Sequence, residues 1–221
     1  MLLIIFLKKM IYITFLNNLY WFFSMQKTSS LFTLIILAIV SLLSYFMAVT
    51  GPNAFFTQFS GLAAFMLLCI SLIIGPLVVL NPKVFAPLLE PRRSIGIITF
   101  FFVLVHFLSV LIWGLQWNFL LIFSFPFLAL GLFAAFIISI LFLTSNDYSM
   151  RLLGRYWKFI HRFNYIAFIL AFTHFVMQVY LRSGTKFTII EIVMVALGVV
   201  TIILQIMGFM KRRSMRSQSS S

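Results

Sequence analysis

Runs of about twenty apolar residues recur from one end of this chain to the other, and no motif constrains the fold as much. Twenty residues is the length that a helix needs to cross ~30 Å of hydrocarbon. The runs fall at 31–50, 60–80, 94–114, 126–144, 158–181 and 187–209. In 221 residues they leave no room for a separate soluble domain. A chain that is 63% hydrophobic and 9% charged lacks the polar surface that a water-soluble fold of this size needs. The expectation is an all-α integral membrane protein, a six-helix transmembrane bundle. No glycine-rich phosphate loop follows a strand pattern, so no nucleotide site of its own is expected.

The net charge of +13 is distributed as a membrane would sort it. With the connecting segments assigned alternately to two sides, Arg182 and Lys186 stand alone on one side. The other fourteen Lys and Arg share the opposite side. The positive-inside bias then puts both the N and the C terminus in the cytoplasm, on a multi-pass protein of the cell inner membrane. The basic side chains find their partner in membrane lipid headgroups, and nucleic acid is not an expected partner. Cys69 is the only cysteine and lies inside the second span, which excludes an intrachain disulfide and a thiolate metal site. Residues 1–24 read as an interfacial segment or as an extension upstream of a start at Met25, because Lys8 and Lys9 interrupt a run too short to span. Residues 25–210 form the transmembrane domain, and 211–221 form a basic, serine-rich cytoplasmic tail.

Punctuation along the chain fits these limits. Thr50, Gly51 and Pro52 stop the first helix, and an outer loop is expected over 53–59. Gly75 and Pro76 predict a kink or an end near the inner side of the second helix. Pro126 suits the first position of the fourth helix, and residues 148–157 suit a short helix lying in the inner interface. Trp113 and Trp117 suit the outer aromatic belt. The cluster Lys211–Arg213 is expected to stop the sixth helix at Met210.

The chain has three histidines, His106, His161 and His174, and all lie in predicted spans. An ionisable side chain at that depth is costly unless a metal, a heme iron, a polar partner or a proton path rewards it. Acidic partners are scarce: Glu90 and Asp147 lie at the inner surface, and Glu191 lies near the outer end of the sixth span. His106 stands roughly 18 Å up the third helix and His174 roughly 24 Å up the fifth, whereas His161 is only about 5 Å up. Two imidazoles at matching depth on different helices are what the two axial positions of a low-spin heme require. His161 sits at an inner level with no histidine opposite it. In a straight helix it also points about 140° away from His174, so a shared inward face requires a tilt, a kink or a π-bulge. The competing reading is three interior histidines hydrogen-bonded to backbone, Ser or Thr.

From Phe59 to about Phe175 the residues resemble the ferric-reductase-like transmembrane domain family. Within it they are similar to the heme-binding membrane subunits of periplasmic methionine sulfoxide reductase systems. The matching pieces come in the family's order: F-S-G-L-A-A (59–64), G-P-L (75–77), R-R-S-I-G (92–96), His106, P-F-L-A-L-G (126–131), L-T-S (143–145), L-G-R-Y-W-K-F-I-H-R-F-N-Y (153–165) and His174. The spacing Trp157, His161, Tyr165 is the most specific of them. The resemblance implies a six-helix heme b protein with one or two hemes, related in its core to the NADPH oxidase membrane domain. It implies His106 and His174 as axial iron ligands of an outer heme. It also implies cofactor-binding roles for His161 and Trp157 at a second heme or another inner cofactor, FMN or quinone. Arg92 stands where two-heme relatives carry a further histidine. It is open to two readings, an anion partner for a propionate, flavin phosphate or quinone, or a marker of the helix's inner end.

The function implied is transmembrane electron transport. A cytoplasmic flavin reductase or quinol would be the donor, and a periplasmic molybdenum-containing methionine sulfoxide reductase the acceptor. Two alternatives stand beside it, a stand-alone ferric reductase and a non-redox transporter or structural protein with inert histidines.

Overall fold

The computed structural model describes Tyr12, Leu16 and residues 27–48, 52–183 and 188–218. The interfacial segment expected over 1–24 therefore lies, apart from those two residues, outside the described residues. The described residues form helices and turns with no strand among them. Among the described residues six stretches are long and apolar enough to cross a membrane: 30–47, 54–80, 82–114, 126–143, 155–181 and 189–218. The principal helices are α1 (Lys27–Met47), α2 (Pro52–Leu80), α3 (Leu89–Ser109), α4 (Pro126–Leu143), α5 (Asp147–Leu153), α6 (Arg155–His161), α7 (Phe163–Ser183) and α8 (Ile189–Gln218).

α2 is the hub. It packs against α3, α8 and α1, while α4 pairs with α7 and touches α3. Its middle supplies the centre of the core, with Ala63, Leu67, Cys69 and Leu72 at 0–1% exposure. Large apolar side chains such as Phe46, Phe136 and Ile206 stay exposed on the outside. That is the inverse of a water-soluble surface and suits a lipid solvent. Buried hydroxyls return to their own helix: Ser60 Oγ donates to Phe56 O at 2.6 Å, Thr99 Oγ1 to Ile95 O at 2.7 Å and Thr201 Oγ1 to Leu197 O at 2.8 Å. Where water is absent, such local pairing is the low-cost solution.

Three boundaries differ from the expectation. α2 begins at Pro52, so the loop expected over 53–59 is helical. Proline is favoured at the first helical position, and Phe55 stacks on Phe59 one turn along at 5.7 Å. At its other end α2 runs through Pro76 to Leu80, where the expected span also ends. Proline removes the amide that would bond Leu72 O, and Gln205 Nε2 of α8 supplies the missing donor at 2.7 Å. Arg92 Nε of α3 donates to the adjacent Ser71 O at 2.9 Å. The proline is thus held by side chains from two neighbouring helices.

The fifth span is broken. Asn146 Oδ1 caps α5 by accepting from Ser149 N at 2.7 Å, Gly154 turns the chain at φ +51°, and a further break at Arg162 separates α6 from α7. Last, α8 continues eight residues past Met210 to Gln218. Lys, Arg and Met are good helix formers, and cations favour a helix C terminus. The basic cluster therefore extends the helix beyond its apolar stretch, with Lys211 Nζ donating to Leu80 O at 3.1 Å.

Gln205→Leu should leave the Leu72 carbonyl without a donor and destabilise the protein by about 1–2 kcal/mol, the upper range for such bonds inside a membrane. Thermal unfolding in detergent checks this; an unchanged midpoint would show that the bond contributes nothing.

Candidate functional site

His106 lies in the last turn of α3 and His174 in the middle of α7. Their ring centroids are 6.3 Å apart, with the planes crossed at 77°. Each ring is placed by the same local device on a different helix. His106 Nδ1 donates to Thr57 O of α2 at 2.8 Å, and His174 Nδ1 donates to Phe127 O of α4 at 2.6 Å. A carbonyl can only accept, so both Nδ1 atoms carry the proton. In a neutral imidazole this leaves the Nε2 lone pair free for a metal. Thr57 belongs to the early turns of α2, where the sequence pattern predicts a loop.

Glycine makes both approaches possible. A Cβ on Gly61 would stand 2.8 Å from His106 Nδ1, and one on Gly131 would stand 2.9 Å from His174 Nδ1. Each glycine lies four residues after the carbonyl that accepts the bond. In a helix, the side chain at i+4 lies beside the carbonyl of residue i. A side chain at either position would fill the space through which the ring reaches its acceptor.

The two histidines line one cavity of about 740 Å³, within the range of small-molecule and cofactor sites. Phe65 and Phe175 form part of its wall. Phe65 stacks nearly parallel on Phe168, Phe172 and Phe175 at 5.5–6.2 Å. Glu191 also lines the cavity and is 3% exposed. Its carboxylate accepts from Thr188 N at 2.8 Å, and its own amide donates to Thr188 Oγ1 at 3.3 Å. This capping box starts α8. Its T-x-x-E signature is present in the sequence, but the inward position of the carboxylate was not foreseen.

The other candidates stand elsewhere. His161 does not line the cavity. Its ring packs on Trp157 at 4.2 Å, and its Nε2 is 3.2 Å from Thr144 Oγ1. Trp157 Nε1 donates to Thr144 O at 2.8 Å. Together these bonds fasten α6 to the end of α4. Arg92 is beside Ser71 and also outside the cavity. The break at Arg162 places His161 and His174 on different helices, and of the two only His174 lines the cavity.

The donor set fits a heme. Metal–imidazole bonds of ~2 Å, with ~1.2 Å from each nitrogen to its ring centroid, place two axial rings about 6 Å apart, and 6.3 Å is observed. Among the described residues no three His, Cys, Asp or Glu side chains cluster as a metal site. Two imidazoles facing across an apolar slot suit an ion whose remaining ligands come from a macrocycle.

Comparison with known proteins gives the family. Residues 60–172, half of the chain, match the family described as ferric reductase like transmembrane component. Relatives from Brucella ovis, Brucella canis and Brucella suis are each named protein-methionine-sulfoxide reductase heme-binding subunit MsrQ. Each is 32% identical over 145 residues, which cover 62% of this chain and 64% of the relative. The chain thus spans somewhat less than two thirds of the length of the curated relatives it matches. No solved structure matches it.

Trp157→Phe keeps the ring contact with His161 and removes the donor to Thr144. It should cost about 1 kcal/mol of stability and leave the His106–His174 cavity unaltered. Thermal unfolding measures the first effect, and ligand content measures the second.

Proposed function

The chain belongs to the ferric-reductase-like transmembrane family, and from that premise we propose that it is a heme b membrane subunit that carries electrons across the cytoplasmic membrane. The observation that supports this best is the pair His106 and His174, each with Nδ1 bonded to a carbonyl, 6.3 Å apart across a cavity. Inert histidines need no opposed partner with free Nε2 atoms. Heme, when bound, would supply the one-electron couple in a cavity lined mostly by apolar side chains.

The chain's own residues hold and insulate the group. His106 and His174 would provide the iron ligands, oriented by the bonds from Nδ1 to Thr57 O and Phe127 O. Such partners to the second ring nitrogen fix its tautomer and raise ligand basicity. The phenylalanine wall provides a low-dielectric sheath. At the basic end, Trp157, His161 and Arg92 form the face at which an inner cofactor, FMN or quinone, or a second heme would sit. The donor there is a cytoplasmic flavin reductase or quinol. The acceptor on the opposite side is a periplasmic, molybdenum-containing methionine sulfoxide reductase, a reading that rests on the names of the relatives. Both termini lie in the cytoplasm, as the fourteen-to-two distribution of Lys and Arg favours.

Purified protein should show a low-spin b-type signal in its dithionite-reduced minus oxidised spectrum. His106→Ala and His174→Ala should each lower that signal by about tenfold or more, whereas His161→Ala should spare the site between them. Equal loss in all three variants would refute this assignment of levels. A colourless protein, after heme supplementation during expression, would return the histidines to a structural role.

The orientation has its own test. A C-terminal fluorescent or phosphatase fusion should be active only as the cytoplasmic reporter; an active phosphatase would invert the topology.

A further inference from the structure

The two histidine seats repeat one arrangement on two different helices. On α2 the carbonyl of Thr57 and the bare Cα of Gly61 receive His106, and on α4 the carbonyl of Phe127 and the bare Cα of Gly131 receive His174. Each seat fixes both a bond direction and a ring plane. The hydrogen bond directs Nδ1, and the glycine surface lies against the ring edge from Nδ1 to Cε1. The two ring planes stand crossed at 77°.

We propose that Gly61 and Gly131 are positioning residues that, with the Thr57 and Phe127 carbonyls, hold the two imidazole planes nearly perpendicular and so set the electronic state of a heme bound between them. The inference rests on the heme reading of the site and goes further, since ligation alone leaves the ring planes free. Nearly perpendicular imidazoles donate about equally to the two π-symmetry d orbitals of low-spin ferric iron. The orbitals then stay close in energy, and the ion gives a strongly anisotropic EPR signal. Parallel rings split the orbitals and give a resolved rhombic signal. Axial geometry and hydrogen bonds to the ligands are also the levers by which a protein sets heme potential.

The full-length heme-loaded protein is the material for the test, with EPR of the ferric form, heme per chain and a redox titration as readouts. The wild-type protein should give the strongly anisotropic signal. Gly61→Ala and Gly131→Ala each place a methyl group within 3.0 Å of a ring atom, so the ring must turn or withdraw. Each variant should lower heme affinity by about tenfold and shift both the EPR anisotropy and the midpoint potential of the heme that remains. Gly96→Ala is the control, because a Cβ there meets nothing within 4 Å; it should leave all three readouts unchanged.

A rhombic wild-type signal would overturn the crossed-plane inference while leaving heme binding intact. Wild-type signal, affinity and potential in both seat variants would overturn the role of the glycines. Equal damage from Gly96→Ala would do the same, since it would show a general intolerance of alanine. Absence of heme from the wild-type protein would defeat the functional reading itself.

Discussion

An N–H group inside a bilayer has no water to turn to, and the bond from each imidazole Nδ1 to a helix carbonyl is the local form of that constraint. Much of the interior answers to it. Gln205 completes the turn that Pro76 leaves open, Arg92 bonds Ser71 O, and Trp157 bonds Thr144 O. In every case a side chain from one helix reaches the backbone of another. Backbone carbonyls are the most numerous acceptors in a chain with three acidic residues, so tertiary contact is written largely as side chain to backbone.

The helices that carry the histidines, α3 and α7, do not supply the groups that orient them. Those come from α2 and α4, which also form the tightest contacts with α3 and α7. The packing that builds the bundle and the bonding that aims the rings are therefore one set of contacts. At the basic end the separate clasp of Trp157, His161 and Thr144 joins α6 to α4. The Arg93–Asp147 pair at 2.7 Å adds a link between α3 and the start of α5.

The six spans and the pairing of His106 with His174 were legible because hydropathy and depth are one-dimensional quantities that can be counted along a chain. What escaped was three-dimensional or cooperative. Residues 53–59 look like loop because Pro52 and Asn53 are turn formers, yet proline also begins helices. Residues 211–218 look like tail because they are charged, yet charge ends an apolar stretch without ending a helix. Gly61 and Gly131 stood inside the motifs that carried the family resemblance, but a glycine announces only an absence. What fills that absence, here an imidazole from another helix, appears only when the helices are assembled. The break at Arg162 has no signal of its own in the sequence; helical spacing shows only that His161 and His174 cannot share a face of one straight helix.

Cys69 sits at 0% exposure in the middle of α2 and is the only thiol in the chain. The reagents that chemists attach to cysteine, whether spin labels, dyes or cross-linkers, have no path to it while the bundle is closed. The natural sequence is in effect a cysteine-less background. Pairs of new thiols can be placed on the bundle ends and their separation followed in lipid, without altering a single core residue.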